Sequence, residues 1–297
     1  MLSNIFEQLV NGLTTGSIYA LIALGYTMVY GIAKMINFAH GDIIMVGAYT
    51  LYVMMGVIKL AFLPAVIISV IVTMILCSLL GVVIEKVAYK PLRNAPSLAV
   101  LITAIGMSYL LQNLALIIFG ANPLPFQSII KIKPLVIGGV TISGVTIITL
   151  VVTTISMVVL TLFINKTKAG SAMRAVSEDK GAAELMGINV NKTISMTFAI
   201  GSALAAVAGI LFISQYQSLQ PTLGALPGIK AFVAAVLGGI GSVPGAMLGG
   251  ILLGVIESLS KAYISTELSD AIVFGVLVIV LLVKPSGLLG KRKNEKV

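Results

Sequence analysis

The sequence predicts an all-α, polytopic integral membrane protein. Of its 297 residues 58% are hydrophobic and only 10% are charged, and the mean hydropathy is +1.10. A soluble chain of this length could not bury so much apolar surface and still cover itself with polar groups. Long runs without a charged residue approach the roughly 20 residues that a helix needs to cross the hydrocarbon core. We therefore expect residues 1–297 to form a single transmembrane domain.

The apolar runs define the expected helices in chain order. The first, Ile5–Tyr30, carries only Glu7 near its start. The glycine-rich stretch Gly238–Gly245 interrupts the next-to-last apolar run. The remaining runs contain no charged residue: Ile43–Ile58, Leu60–Ile84, Ser97–Phe119, Val140–Ile164 and Thr193–Gln215. The two closing runs are Ala231–Ile256 and Ala271–Leu289.

Basic residues predict the orientation. They cluster at Lys86–Arg93, at Lys166–Lys192 and at Lys291–Lys296, and the positive-inside rule places all three clusters in the cytoplasm. Counting spans from these clusters puts the N-terminus outside and the C-terminus inside. The number of membrane crossings agrees with these positions of the two termini only if Ala231–Ile256 enters the membrane and returns to the same side as two short segments. We therefore expect about nine apolar elements, two of them short.

A second interruption, Gly31–Asp42, follows the first span. Paired interruptions in two halves are typical of transporters with inverted repeats, and they flank the transport pathway. Residues 5–119 and 193–290 are the expected repeat halves. A turn at the cytoplasmic end, with Asp42 capping the next helix, is the alternative for the first interruption. The candidate pathway or gate residues are Asn37, Phe38, His40, Asp42, Gly238, Gly239, Gly241, Pro244 and Gly245.

The internal loop 166–192 is unusually polar for this chain, and it predicts a docking element for a partner in water. Ser177 is the expected N-cap of a short helix with an alanine surface, and Gly187 is its expected end. An ordinary solvated loop is the alternative. The candidate docking residues are Ser177, Gly181, Ala182, Ala183, Glu184 and Gly187.

Polar and small residues inside the apolar runs predict contacts between helices. Gln112 and Asn113 are expected to form hydrogen bonds across helices, and glycines repeated every four residues are expected to bring helices close together. Glu257 fits either a conformational latch or a surface position.

Catalytic chemistry has no support in the sequence. Cys77 is the only cysteine and His40 the only histidine, which argues against a disulfide and against a metal site. The chain has neither a phosphate-binding loop nor a nucleophile elbow. We expect no enzymatic activity and no cofactor. The net charge of +9 lies mostly beside the spans, where it reflects topology rather than nucleic-acid binding.

Three motifs resemble known transporters. Gly181-Ala182-Ala183 followed by Gly187 looks like the Glu-Ala-Ala-x-x-x-Gly coupling motif of ABC importer permeases, although Gly181 replaces the glutamate and the usual terminal proline is missing. Asn11–Asp42 and Ala234–Gly250 resemble the two terminal signatures of branched-chain amino-acid permeases of the H type. The looser coupling motif resembles the branch shared with ribose-type permeases.

The resemblance implies a complex in the bacterial cytoplasmic (inner) membrane. Two homologous permease subunits would pair with two cytoplasmic ABC ATPase subunits, which dock on Ala182, Ala183, Glu184 and Gly187. An extracytoplasmic binding protein would deliver leucine, isoleucine or valine. A urea or amide importer of the same architecture, a nucleoside or sugar importer, a stand-alone channel or secondary carrier, and a membrane enzyme remain as alternatives.

Overall fold

A computed structural model describes residues 2–93, 95–137 and 139–290. Within these residues seven helices are long and apolar enough to cross a membrane, and two further apolar helices are shorter. The all-α membrane fold is therefore confirmed. The basic cluster Lys291–Lys296, on which the predicted C-terminal orientation depends, lies outside the described residues. The predicted repeat of residues 5–119 and 193–290 stays a prediction.

The described residues form eleven α-helices and four short strands. The helices are α1 Leu2–Ala33, α2 His40–Val57, α3 Phe62–Ile84, α4 Ser97–Phe119, α5 Gly144–Lys166, α6 Lys168–Glu178, α7 Lys180–Leu185, α8 Val190–Tyr216, α9 Ala225–Gly238, α10 Val243–Tyr263 and α11 Ser269–Val283. Helix α3 is followed by a π-helical segment, Glu85–Tyr89, and a 3-10 turn, Lys90–Leu92. The strands β1 Leu124–Pro125 and β4 Ser218–Leu219 pair antiparallel, as do β2 Leu135–Ile137 and β3 Val140–Ile142.

Two predicted boundaries differ from the structure. The run Val140–Ile164 starts with β3, and α5 begins only after Ser143, whose side chain accepts a hydrogen bond from the Thr146 amide. The predicted break between Gly238 and Gly245 is present. However, α10 is 21 residues long, which is enough to cross a membrane alone, so the prediction of two short segments was wrong for the second segment.

Helix α1 occupies the centre of the bundle and packs against α8, α9 and α10. Its contact with α10 is unusually close, because Gly16 faces Gly254 and Ala20 faces Gly250, backbone against backbone. Without side chains in the way, dispersion contacts between the two backbones replace a layer of side chains. In contrast, only 17% of the most apolar 18-residue stretch of α4, and the same share of that of α5, is buried in the bundle. Most of the surface of these two helices is therefore left to lipid or to a partner.

One end of the bundle gathers the loop 166–192 and both interruptions, and we call it the loop end. Lys180 Nζ lies 3.2 Å from the carbonyl oxygen of Ala33 at the end of α1, and Arg93 contacts Asn191. The start of α1 and the last residues of α8 and α10 lie at the opposite end, which we call the far end.

Candidate functional site

The short helix α7 in the loop 166–192 begins at a cap that the sequence analysis misassigned. The Ala182 amide donates to Asp179 Oδ1 at 3.0 Å, so Asp179 is the N-cap. Ser177 belongs to the preceding helix α6, and its hydroxyl donates to the Arg174 carbonyl at 2.7 Å. The prediction of Ser177 as the cap was therefore wrong, because α6 continues through this position.

The predicted end of α7 at Gly187 is confirmed. Gly187 has a φ of +81°, a conformation that suits glycine. The amide of Ile188 donates to the carbonyl of Ala183 at 3.0 Å, and the amide of Gly187 donates to the carbonyl of Glu184 at 2.9 Å. These two bonds form a Schellman motif, which stops the helix sharply.

The exposed surface of α7 differs from the expected alanine surface. Gly181, Ala182, Glu184 and Gly187 are exposed, as an interface would require, but Ala183 is buried against the bundle. Leu185 is 90% exposed and Met186 is 82% exposed at the end of the helix. Large apolar side chains that are this exposed at the end of a polar loop suggest a contact with another protein. The signal in the sequence was the pair of large apolar residues within a polar loop.

Lys180 fastens α7 to the bundle. Its ammonium donates to the Ala33 carbonyl at the C-terminal end of α1. A cation at that position is favourable, because the last carbonyls of a helix carry partial negative charge. Burial lowers the pKa of the Lys180 ammonium, and the nearby positive charge of Arg93 lowers it further. The loop is thus tied directly to the central helix.

The first interruption, which joins α1 to α2, buries its polar side chains among other helices. Asn37 Oδ1 accepts from the Tyr89 hydroxyl at 2.8 Å, and Asp42 Oδ1 accepts from Gln112 Nε2 at 2.8 Å. The N-cap position of α2 is Ala39 and Asp42 lies inside the first turn, so the alternative in which Asp42 caps α2 is wrong. Gln112 forms the predicted bond across helices.

Aromatic contacts surround the remaining candidates of this segment. The His40 ring lies edge-on to Tyr26 with 4.6 Å between centroids, and Phe38 lies 5.7 Å from Phe232 of α9.

Asn113, unlike its neighbour Gln112, donates to the Tyr109 carbonyl within its own helix, so a hydrogen bond across helices was wrongly predicted there.

The second interruption lies between α9 and α10 and depends on glycine. Gly239 and Gly241 have φ values of +103° and +95°. Ser242 caps α10 by accepting from the Gly245 amide at 3.2 Å, with Pro244 in the first turn, where its missing N–H costs nothing. Gly238 lies against the Gly245 backbone, which brings the two helix ends into direct contact.

The two interruptions meet at the loop end. A Cβ added to Gly31 would lie 3.4 Å from the Gly241 Cα. Between them is a narrow cavity of about 10 Å³, lined by the apolar side chains of Met35 and Ile36 from one interruption and Ile240 from the other. A space of this size holds at most one water molecule. The arrangement can therefore seal the bundle at this end.

A cluster of charged groups around the buried carboxylate of Glu257 was not anticipated. Glu257 of α10 is 2% exposed, so the alternative of a surface position is wrong. Its carboxylate contacts the ammonium of Lys230 at 2.8 Å and that of Lys261 at 2.5 Å, and it accepts from the Tyr19 hydroxyl at 2.9 Å. Lys230 also contacts Asp270 at 2.7 Å. We call these five residues the ion cluster.

Comparison with known proteins gives a consistent result. Residues 8–281 match the family described as the branched-chain amino acid transport system permease component. The chain is 48% identical over 304 residues to the high-affinity branched-chain amino acid transport system permease protein BraD of Pseudomonas aeruginosa, covering 98% of this chain and 97% of that protein. It is 44% identical over 308 residues to the corresponding permease LivH of Escherichia coli, with the same two coverages. A shorter match, 32% identical over 134 residues and 43% of this chain, relates it to the ribose import permease RbsC of Haemophilus influenzae, of which it covers 41%.

Proposed function

The chain belongs to the permease-component family of branched-chain amino acid transport systems, and from that premise we propose that it is the transmembrane permease subunit of an ABC importer that moves leucine, isoleucine and valine into the cell. The similarity to two named permeases of such systems, over nearly the whole of each chain, supports the substrate class.

The importer needs partners that this chain does not supply. The sequence has no phosphate-binding loop, so ATP would be hydrolysed by separate cytoplasmic ABC subunits. A second homologous permease would complete the membrane part, and an extracytoplasmic binding protein would deliver the amino acid. The complex would lie in the bacterial cytoplasmic membrane, with the N-terminus outside and the C-terminus inside.

The observation that carries the coupling role is the geometry of α7. Both ends of this helix are fixed, by the Asp179 cap and by the Schellman motif at Gly187, so it is presented as a rigid body. Leu185 and Met186 extend from its end into water. We infer that these two side chains, together with Ala182, Glu184 and Gly187, fill a cleft on the ATPase.

The transport cycle would be alternating access. A movement of α7, driven by closure of the ATPase pair, would reach α1 through the Lys180 contact to Ala33. Because both interruptions meet beside the end of α1, its displacement would open or close the narrow apolar cavity at Met35, Ile36 and Ile240. The polar atoms of Asn37 and Asp42 would keep their partners Tyr89 and Gln112 during the closed state.

Reconstitution tests both parts of the proposal. The complex is purified in mild detergent, its subunits are identified by mass spectrometry, and uptake of labelled leucine is measured in proteoliposomes with and without ATP. A double substitution of Leu185 and Met186 by aspartate should release the ATPase and abolish uptake. The matched control is Leu268→Asp, which changes a leucine that is 55% exposed at the far end.

Two results would contradict the proposal. Normal uptake by the double variant would remove the coupling role from α7. Uptake of labelled urea or of a labelled amide, without uptake of leucine, isoleucine or valine, would make the chain a permease for a different substrate.

A further inference from the structure

The ion cluster joins four helices, and Lys230 and Glu257 at its centre are buried. Its members come from α1 (Tyr19), α9 (Lys230), α10 (Glu257 and Lys261) and α11 (Asp270). Glu257 lies fourteen residues beyond Val243, where α10 begins at the loop end, or about 21 Å along the helix.

Stability alone does not explain such a cluster. Replacing a buried ion pair with apolar side chains is often neutral or stabilising, because desolvation offsets the attraction. Charged residues inside membrane proteins usually face the bundle interior or a water-filled cavity and lie on a substrate path. The buried pair of Lys230 and Glu257 at the centre of the ion cluster lies in the bundle interior, as charged residues on a substrate path do.

A polar cleft opens beside the ion cluster. It has a volume of about 220 Å³ and is lined by Gln8, Asn11, Thr15, Tyr216, Glu257, Ser258 and Lys261. Ser258 donates to the Gln8 carbonyl at 2.8 Å, which joins α10 to the start of α1 along one wall. A cleft of this volume has room for several water molecules, so the polar end of an amino acid can enter it.

The charges of the site add up to zero. Two lysines face two carboxylates, Glu257 and Asp270, so the cluster as a whole favours neither a cation nor an anion. Lys261 is 43% exposed, and its ammonium has three N–H donors, one of which Glu257 accepts. The amide oxygen of Gln8, the hydroxyl of Thr15 and the Glu257 carboxylate are acceptors lining the same cleft. Donors and acceptors on one small site match a molecule that is itself both positive and negative.

We propose that this cleft binds the ammonium and carboxylate groups of a zwitterionic amino acid on its way through the permease. Lys261 binds the carboxylate, while the Gln8 amide oxygen and the Thr15 hydroxyl bind the ammonium. The inference rests on the proposed function, which supplies an amino acid as the substrate. Apart from Tyr216 the lining is polar, so the cleft recognises the common part of amino acids and leaves side-chain selection to the binding protein.

A thiol-protection experiment tests the site directly. Asn11 is exposed at the cleft, and Asn11→Cys introduces a reactive thiol there. The native Cys77 is fully buried, so a water-soluble maleimide labels the new thiol selectively on this chain. The matched control is Lys59→Cys, exposed in the connection between α2 and α3 at the same end. Labelling is measured on the intact complex in nanodiscs without binding protein.

Leucine should slow labelling of Asn11→Cys in a saturable way and leave Lys59→Cys unchanged. Glycine should protect as well, because it has the same two charged groups. The analogues 4-methylpentanoate, which lacks the ammonium, and 3-methylbutylamine, which lacks the carboxylate, should fail to protect. Adding Lys261→Met should remove the protection by leucine.

The outcomes separate this inference from the proposed function. Failure of leucine to protect, or equal protection by the two truncated analogues, overturns the cleft as a zwitterion site. If the unmodified complex still takes up leucine in that case, the importer assignment stands alone. Failure of the unmodified complex to take up leucine overturns the proposed function, whatever the labelling gives.

Discussion

Replacing Gly254 with alanine should weaken the contact between α1 and α10 and destabilise the helix bundle. A Cβ at this position would collide with the backbone Cα and nitrogen of Gly16 and would lie 2.6 Å from the Gly12 carbonyl oxygen. Backbone atoms cannot rotate away as the end of a flexible side chain can. The two helices would therefore have to separate along the seam.

The magnitude follows from two opposing terms. Overpacking a well-packed contact lowers the free energy of unfolding by about 1–3 kcal/mol. Exchanging glycine for alanine inside a helix raises it by about 1 kcal/mol. Gly275→Ala in α11 is the matched control, because nothing lies within 4 Å of a Cβ built there. That variant should gain about 1 kcal/mol from helix propensity alone. The two single-methyl variants should therefore differ by about 1–3 kcal/mol.

The buried thiol of Cys77 provides the assay. It is fully buried in α3, so a maleimide dye reacts with it only as the bundle unfolds on heating. The purified complex is heated with the dye, and the adduct on this chain is quantified by mass spectrometry. Gly254→Ala should unfold at a lower temperature than Gly275→Ala. Equal midpoints for the two variants would refute the close α1–α10 contact.

Two further substitutions address the loop end. Asp179→Ala removes the cap of the six-residue helix α7 at a cost of about 1 kcal/mol, so leucine uptake in proteoliposomes should fall, whereas Ser177→Ala should leave uptake unchanged; the reverse ranking would restore Ser177 as the cap. Tyr89→Phe deletes the buried donor to Asn37, which should cost about 1–3 kcal/mol and lower the unfolding temperature in the Cys77 assay. An unchanged temperature would mean that Asn37 finds another partner.

Much of the fold could be predicted because the membrane simplifies the problem. An uncharged run of about 20 residues must form a helix there, since no other structure satisfies its backbone without water. The break after Gly238 was predictable for a related reason, because only glycine tolerates the φ values of Gly239 and Gly241. The start of α5 was misplaced because the apolar run Val140–Ile142 suits a strand as well as a helix.

The loop shows why local signals are not sufficient for a site. Ser177 and Asp179 are both good N-caps, and the sequence around them does not decide between the two. The decision comes from α6, which buries Met173 and Val176 against the bundle and therefore keeps its helical path to Glu178. An apolar spacing of three residues was the available signal, and it predicts that α6 passes through Ser177.

The salt bridge between Lys230 and Glu257 could be predicted only from the geometry of the α9–α10 hairpin. Gly238 faces Gly245 and Ala234 faces Gly249, so the two helices run antiparallel in a register that places Lys230 opposite Leu253. Glu257 lies one helical turn further along α10. Side chains lean toward the N-terminus of their own helix, and in this hairpin the N-terminus of α9 points toward increasing numbers on α10. The long Lys230 side chain is therefore directed toward Glu257. The register set by two glycine contacts thus determines a salt bridge between residues 27 positions apart in the sequence, one on each helix of the hairpin.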